Sequence, residues 1–244
     1  MNTVSLANIR IVLVRTFHPG NIGSAARSMK TMGLSDLCLV SPRDFPNPEA
    51  NKMAAGAENM LNDIRTVDSL SDAIADCTTV IASTARPRGY DLPELDPEQA
   101  AQMLLDSASI SPVALIFGPE RMGLHNDDLK FAKYRVTIPA NPDYSSLNMA
   151  AAVQTLSYEI FKASRADINK ISGHQFSGRE LPTAADIERL HIHLEKVLHD
   201  IKFLRPHQGE TLQRLHNLIS RAEPDVLETN IIRGILTAIE KSTK

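Results

Sequence analysis

The sequence predicts an α/β protein: a parallel sheet covered by helices on both faces, followed by a small helical extension. Three observations predict it. Short apolar runs rich in β-branched residues alternate with helix-like segments, as strands buried on both faces of a parallel sheet do. Loops bearing glycine and hydroxyl residues follow those runs, which gathers them at the carboxyl edge of the sheet, where such folds bind ligands. Beyond Ser164 the composition shifts. The first part carries 14 Lys and Arg against 18 Asp and Glu, a net −4; the remainder carries 12 against 11, a net +1, with six of the eight histidines.

The run Asn8-Ile9-Arg10-Ile11-Val12-Leu13-Val14 is the first strand. Residues 15–23 read as a loop and 24–32 as a helix, ended by Gly33 in the position a C′ glycine takes. A second strand, Leu37-Cys38-Leu39-Val40, enters a proline-rich loop at residues 41–48, and residues 51–61 and 70–75 have helical character. Thr78-Thr79-Val80-Ile81-Ala82 is a third strand, residues 96–106 a helix, and Val113-Ala114-Leu115-Ile116-Phe117 a fourth strand. A fifth run, residues 134–139, gives way to the polar turn 140–146. The helix that opens at Leu147 is almost uncharged until Glu159, so it is expected to be buried on most sides. Ser145 or Ser146 is a natural N-cap for it. The first-turn N–H groups, two hydroxyls and the Asn148 amide then either hold a polar ligand or form an ordinary capped helix.

Residues 1–165 thus form one domain and residues 166–182, polar with two glycines, a linker. Residues 183–244 form a helical extension. Thr183 and Asp186 make a capping box. Apolar stripes follow at Ile187, Leu190, Leu194, Val197, Leu198 and Ile201, then at Leu212, Leu215, Leu218 and Ile219, then at Ile231, Ile232, Ile235, Leu236 and Ile239. Such a three-helix unit must pack on itself or on a partner.

Composition narrows the class. At 43% apolar and 23% charged residues the chain is an ordinary globular one. No apolar run reaches the ~20 residues that span a bilayer, and the first residues lack the regions of a signal peptide, so a cytoplasmic protein without membrane contact is expected. Cys38 and Cys77 have no Cys or His at metal-ligand spacing and are expected as buried thiols, with no metal site. A net charge of −3 argues against nonspecific coating of nucleic acid while leaving room for a local basic surface.

The phosphate-loop motif is missing, and Gly20-Asn21-Ile22-Gly23 supplies two glycines of a dinucleotide fingerprint. No serine sits in a nucleophile-elbow motif, and His18 and His125 are isolated from each other. Three other stretches stand out: Asn21-Ile22-Gly23-Ser24-Ala25-Ala26-Arg27; Ile116-Phe117-Gly118-Pro119-Glu120-Arg121-Met122-Gly123-Leu124; and Ile138-Pro139-Ala140-Asn141 with Ser145-Ser146-Leu147-Asn148-Met149-Ala150. In order, and each beside a strand end, they resemble the three motifs of the SPOUT class of RNA methyltransferases, over roughly residues 6–165. Pro119 and Met122 are departures within the second motif that remove no polar group. The wording Asn-Pro-Asp-Tyr-Ser-Ser-Leu-Asn and the helical extension are most similar to the bacterial branch of that class that methylates the ribose 2′-hydroxyl of cytidine or uridine 32 in the tRNA anticodon loop.

The resemblance implies what periodicity does not: a C-terminal trefoil knot in residues 1–165, S-adenosylmethionine bound in that knot, and a homodimer acting on tRNA. By motif, the cofactor residues are Ser83, Thr84, Ala85, Gly118, Ile138, Ser145, Ser146 and Leu147, with Gly118 letting the chain come close to the ligand. Arg27 is the catalytic residue it implies. A guanidinium with a pKa above ~12 is a poor base, so an electrostatic hold on the incipient alkoxide is its expected role. Asn21 either orients the loop or ribose or is a turn residue. Glu120 either organises the site or pairs locally with Arg121. Ser146 and Asn148 either touch the methionine portion or substrate or cap the helix. Arg86 and Arg88 are candidates for tRNA phosphate contacts. The competing reading is a knotted RNA-binding protein acting as a non-catalytic folding or regulatory factor; an intact Arg27 and a full third motif favour the enzyme, and a failure to bind S-adenosylmethionine would favour its rival.

Overall fold

The computed structural model of the chain describes residues 6–62, 64–85, 91–165, 180–204 and 209–242. It comprises two compact units, Met1–Lys170 and Ile171–Lys244. The expected linker, residues 166–182, lies outside the described residues but for its last three.

In the first unit, β1 (Ile9–Val14), β2 (Asp36–Val40), β3 (Arg65–Val67), β4 (Thr79–Ser83), β5 (Glu94–Leu95), β6 (Val113–Phe117) and β7 (Tyr134–Val136) form one sheet in the order β3-β2-β1-β6-β4-β7-β5. Every neighbouring pair is parallel. The five strands expected from apolar runs are the five central ones. Those the sequence did not announce, β3 and β5, are the two edges, short and partly exposed.

Register explains the core. Ile11 lies between Leu37 and Leu115, and Leu13 between Leu39 and Phe117. These side chains point to one face, where α1 (Pro19–Thr31), α2 (Pro48–Ala54), α5 (Pro97–Ala108) and α7 (Met149–Arg165) deliver Ile22, Met29, Ala50, Leu104, Val153 and Leu156. The alternate residues Val12, Cys38, Val80 and Ile116 are buried on the opposite face. At ~1.5–3 kcal/mol per large apolar side chain, this double burial is what holds the strands. Arg10 is the exception on that second face. It donates to Asp36 (2.9 Å), Asp76 (2.6 and 3.1 Å) and the Ala73 carbonyl (2.8 Å), so the buried cation is fully compensated. Cys38 and Cys77 are free, buried thiols as expected, and burial pushes the Cys77 thiol up to about 12.

Several helix boundaries differ from the sequence reading. α1 begins at Pro19, not residue 24, because proline suits a first helical position; Asn21 is therefore helical and not a turn residue. Residues 51–61 are not one helix: Ala55 (φ 40°) and Gly56 (φ 92°) are left-handed and separate α2 from α3 (Glu58–Asn62). α4 (Leu70–Ile74) and α6 (Asn126–Leu129) complete the set. α7 starts at Met149, and its N-cap is neither Ser145 nor Ser146. The Asn148 side-chain Oδ1 accepts from the N–H groups of Ala150 (2.8 Å) and Ala151 (3.4 Å). The helix exposes only Ala151, Tyr158, Lys162 and Arg165.

The second unit contains α8 (Ala184–Asp200), α9 (Gly209–Ala222) and α10 (Val226–Ser242). The capping box of Thr183 and Asp186 opens α8. Leu190, Val197 and Leu236 are buried, with Leu194, Ile219, Ile232 and Ile239 against them. The rings of His191 and His216 stack with centroids 4.0 Å apart. The stripes are narrower than expected: Ile201, Leu218, Ile231 and Ile235 are exposed, because Ile232, Leu236 and Ile239 take the inward face of α10.

Candidate active site

Loops leaving β4, β6 and β7 converge at the carboxyl edge of the sheet and, with the start of α7, line one open cleft. Ser83, Thr84 and Ala85 form one wall and the whole turn 118–123 a second; Ile138, Ser145, Ser146 and Leu147 form the third. All eight residues singled out for a cofactor therefore meet in one place. The cleft is open, and its space counted together with the solvent-facing mouth is ≈ 830 Å³. Phe117, Met149 and Ala152 also line it; their signal was adjacency to the second and third motifs.

Glycine at 118 is also required by the protein's own backbone. A Cβ there would lie 2.1 Å from the Leu124 nitrogen and 2.3 Å from the Gly123 carbonyl carbon, so the turn closes on its own backbone. The Gly123 N–H bonds the Pro119 carbonyl (2.8 Å), and Gly123 itself is left-handed (φ 65°).

A polar network ties the three motif stretches together at this cleft. Glu120 accepts from the N–H groups of Phe17 (2.9 Å) and His18 (3.1 Å) and from the Asn21 amide (2.7 Å). The Asn148 amide donates in turn to the Asn21 side-chain oxygen (3.1 Å). Burial pushes the Glu120 carboxyl up, but the donors from Asn21, Phe17 and His18 more than offset it and hold the group below the usual carboxylate range. The carboxylate also faces the N-terminal end of α1, whose first turn has no acidic residue of its own and whose His18 cap makes no side-chain bond. Glu120 is thus the hub of this network, and the local ion pair with Arg121 is not formed. Arg121 instead lies over the Phe17 ring, 4.9 Å from its centroid.

Arg27 sits two turns into α1 on an exposed face and is outside the residues lining the cleft. Ser146 is exposed at the mouth, whereas Asn148 combines the cap of α7 with the bond to Asn21. Arg86 and Arg88 lie outside the described residues. The sequence reading missed Phe17 and Arg43, which meet only in three dimensions.

The fold and this cleft define a SPOUT-type methylase. The chain belongs to the SpoU rRNA methylase family, whose model matches residues 8–158. Residues 185–244 match the C-terminal domain of the tRNA methyltransferase TrmJ. Two relatives named tRNA (cytidine/uridine-2′-O-)-methyltransferase TrmJ are similar over nearly the whole chain: that of Pectobacterium atrosepticum is 44% identical, covering 97% of this chain and 98% of its own, and that of Yersinia enterocolitica is 45% identical, covering 98% and 94%. The crystal structure of TrmJ from Z. mobilis superposes with a TM-score of 0.82 at 35% identity, covering 95% of this chain and 98% of that one.

Proposed function

We propose that this chain transfers the methyl group of S-adenosylmethionine to the ribose 2′-hydroxyl of cytidine or uridine 32 in the anticodon loop of tRNA. The observation that carries the reading is the Asn21–Glu120–Asn148 network, which brings three separate motif stretches to one cleft. The donor set fits the cofactor: apolar walls at Phe117, Ile138 and Leu147 suit a purine, hydroxyl and backbone groups at 83–85 and 145 suit its polar edge, and Glu120 supplies negative charge where a sulfonium is to be held.

The cofactor supplies an electrophilic methyl carbon, so the protein's share is placement and charge. Holding the ribose oxygen in line supplies ~7–11 kcal/mol of barrier lowering. Arg27, permanently protonated, stabilises the oxygen as charge develops on it. Its exposed position outside the cleft suits a group that meets the RNA and not the cofactor. Asn21 and Asn148 position the motif-one helix against the third motif, with Ser146 at the mouth beside the methionine portion. Arg86 and Arg88 follow β4 and contact tRNA phosphates. The trefoil knot belongs to the same reading, supported by the joint lining of the cleft by residues 118–123 with Ile138, Ser145, Ser146 and Leu147.

The working form is a cytoplasmic homodimer joined through the first unit, and the second unit docks tRNA. Among the described residues no helix is long and apolar enough to cross a membrane. The test is incubation of the protein with unmodified tRNA and labelled S-adenosylmethionine, followed by nucleoside mass spectrometry. 2′-O-methylated pyrimidine at position 32 is expected; cofactor binding without methyl transfer to any tRNA would refute the reading.

A further inference from the structure

Three loops that leave the sheet on the cleft side meet at Phe17. The loop after β1 is pinned from two directions: the Arg43 N–H bonds the Thr16 carbonyl (3.0 Å), and the Phe17 N–H bonds Glu120 (2.9 Å). Against the ring so fixed lie two guanidiniums from different loops. Arg43 from the loop after β2 is 4.0 Å from the ring centroid, and Arg121 from the turn after β6 is 4.9 Å from it. The His18 ring meets the same aromatic edge-on at 5.0 Å.

Both arginines are exposed, and among the described residues neither forms an ion pair. Their neighbouring carboxylates are committed elsewhere: Glu120 to three N–H donors and Asp44 to the Asn47 amide (2.7 Å). Two cations held against one ring, with no carboxylate paired to either among the described residues, make this corner locally electropositive and attractive to an anion. A phenyl ring stiffens each guanidinium while leaving its N–H donors free, which suits a phosphate oxygen. Arg121 also lines the cleft mouth.

We propose that Arg43 and Arg121, stacked on Phe17, form a binding site for a backbone phosphodiester of the RNA substrate, immediately beside the ribose that is methylated. This inference rests on the RNA-methylating reading and adds Phe17 and Arg43, which no motif contains, to Arg121 of the second stretch. The chemistry favours that location: the 2′-hydroxyl is vicinal to the carbon bearing the 3′-phosphate, so gripping the phosphate at the mouth fixes the reacting oxygen. The site is blind to base identity, because it reads charge and not a base edge.

The experiment uses the full chain and a full-length tRNA transcript, with binding measured at several salt concentrations. Arg43→Gln and Arg121→Gln are each expected to weaken binding and to reduce the slope of log K against log[salt] by roughly 0.7–0.9, as loss of one phosphate contact does. Arg43→Gln, which is outside the cleft, is expected to leave the melting temperature and calorimetric affinity for S-adenosylmethionine at the wild-type value. An unchanged salt slope in both variants would overturn the site. A parallel loss of cofactor affinity in Arg43→Gln would also overturn it, assigning the cations to the cofactor's carboxylate. Wild-type protein that binds cofactor but no tRNA would instead remove the RNA reading on which the site depends.

Discussion

Substituting Glu120 with Gln keeps the shape of the hub and removes its charge. In the best orientation the amide oxygen still faces the His18 N–H and the Asn21 amide, but the new NH2 group then faces the Phe17 N–H, donor against donor. One hydrogen bond to a charged group is lost, worth about 1.5–3 kcal/mol. The negative charge beside the N-terminus of α1 is lost as well, about 0.3–1 kcal/mol. Because Glu120 is only half-buried, the lower part of the combined range applies: about 2–3 kcal/mol at neutral pH, or a fall in melting temperature of about 4–12 °C. The sign of the pH dependence follows from the lowered carboxyl. Its stabilisation is present above the ordinary glutamate value of about 4.3 and is lost as pH falls through the folded-state value. The gap between wild type and variant is therefore widest at neutral pH and closes on acidification. Urea unfolding of both proteins at neutral pH and at about pH 3, below the ordinary carboxylate range, checks this. A gap below about 1 kcal/mol, or one that does not change with pH, would show that the carboxylate is not the hub.

Arg27→Ala is expected to leave folding and calorimetric affinity for S-adenosylmethionine intact while lowering turnover by about 10²–10³; near wild-type turnover would remove Arg27 from the chemistry. Gly118→Val forces the 118–124 turn apart against Leu124 and should weaken cofactor binding by tenfold or more, read by the same titration, since overpacking costs about 1–3 kcal/mol. Ending the chain after Ser164 leaves the first unit with its own core. That fragment should bind cofactor and remain dimeric by gel filtration, yet lose tRNA affinity with a shallower salt dependence; unchanged tRNA affinity would mean that the second unit is not the docking element.

The central strands were legible because burial on both faces leaves an unbroken apolar run, as at Ile9 to Val14. β3 was not, because Arg65 and Thr66 are exposed at a sheet edge and three such residues carry no pattern. The cleft walls at 83–85, 118 and 145–147 could be named in advance because the resemblance to the SPOUT class implied them; no local pattern marked them. What tied them together could not. Glu120 finds Phe17, His18 and Asn21 about a hundred positions away in sequence, and nothing local distinguishes a carboxylate that caps a distant helix from one that pairs with its neighbour. The exchange of Ser145 and Ser146 for Asn148 as the cap of α7 has the same origin. Either serine satisfies the local preference, but only Asn148 also reaches Asn21.

Gly23 sits where α1 crosses α2: a Cβ there would lie 1.9 Å from the Ala50 carbonyl oxygen and 2.8 Å from the Ala54 nitrogen. Nothing larger than hydrogen fits between the two backbones, so the helices are coupled like meshed gears and neither can slide without the other. The consequence is mechanical. Any displacement of α1 that carries Gly23 toward α2 is blocked by backbone and not by side chains that could turn aside. The position is also closed to mutational drift, since even alanine would wedge this pair apart.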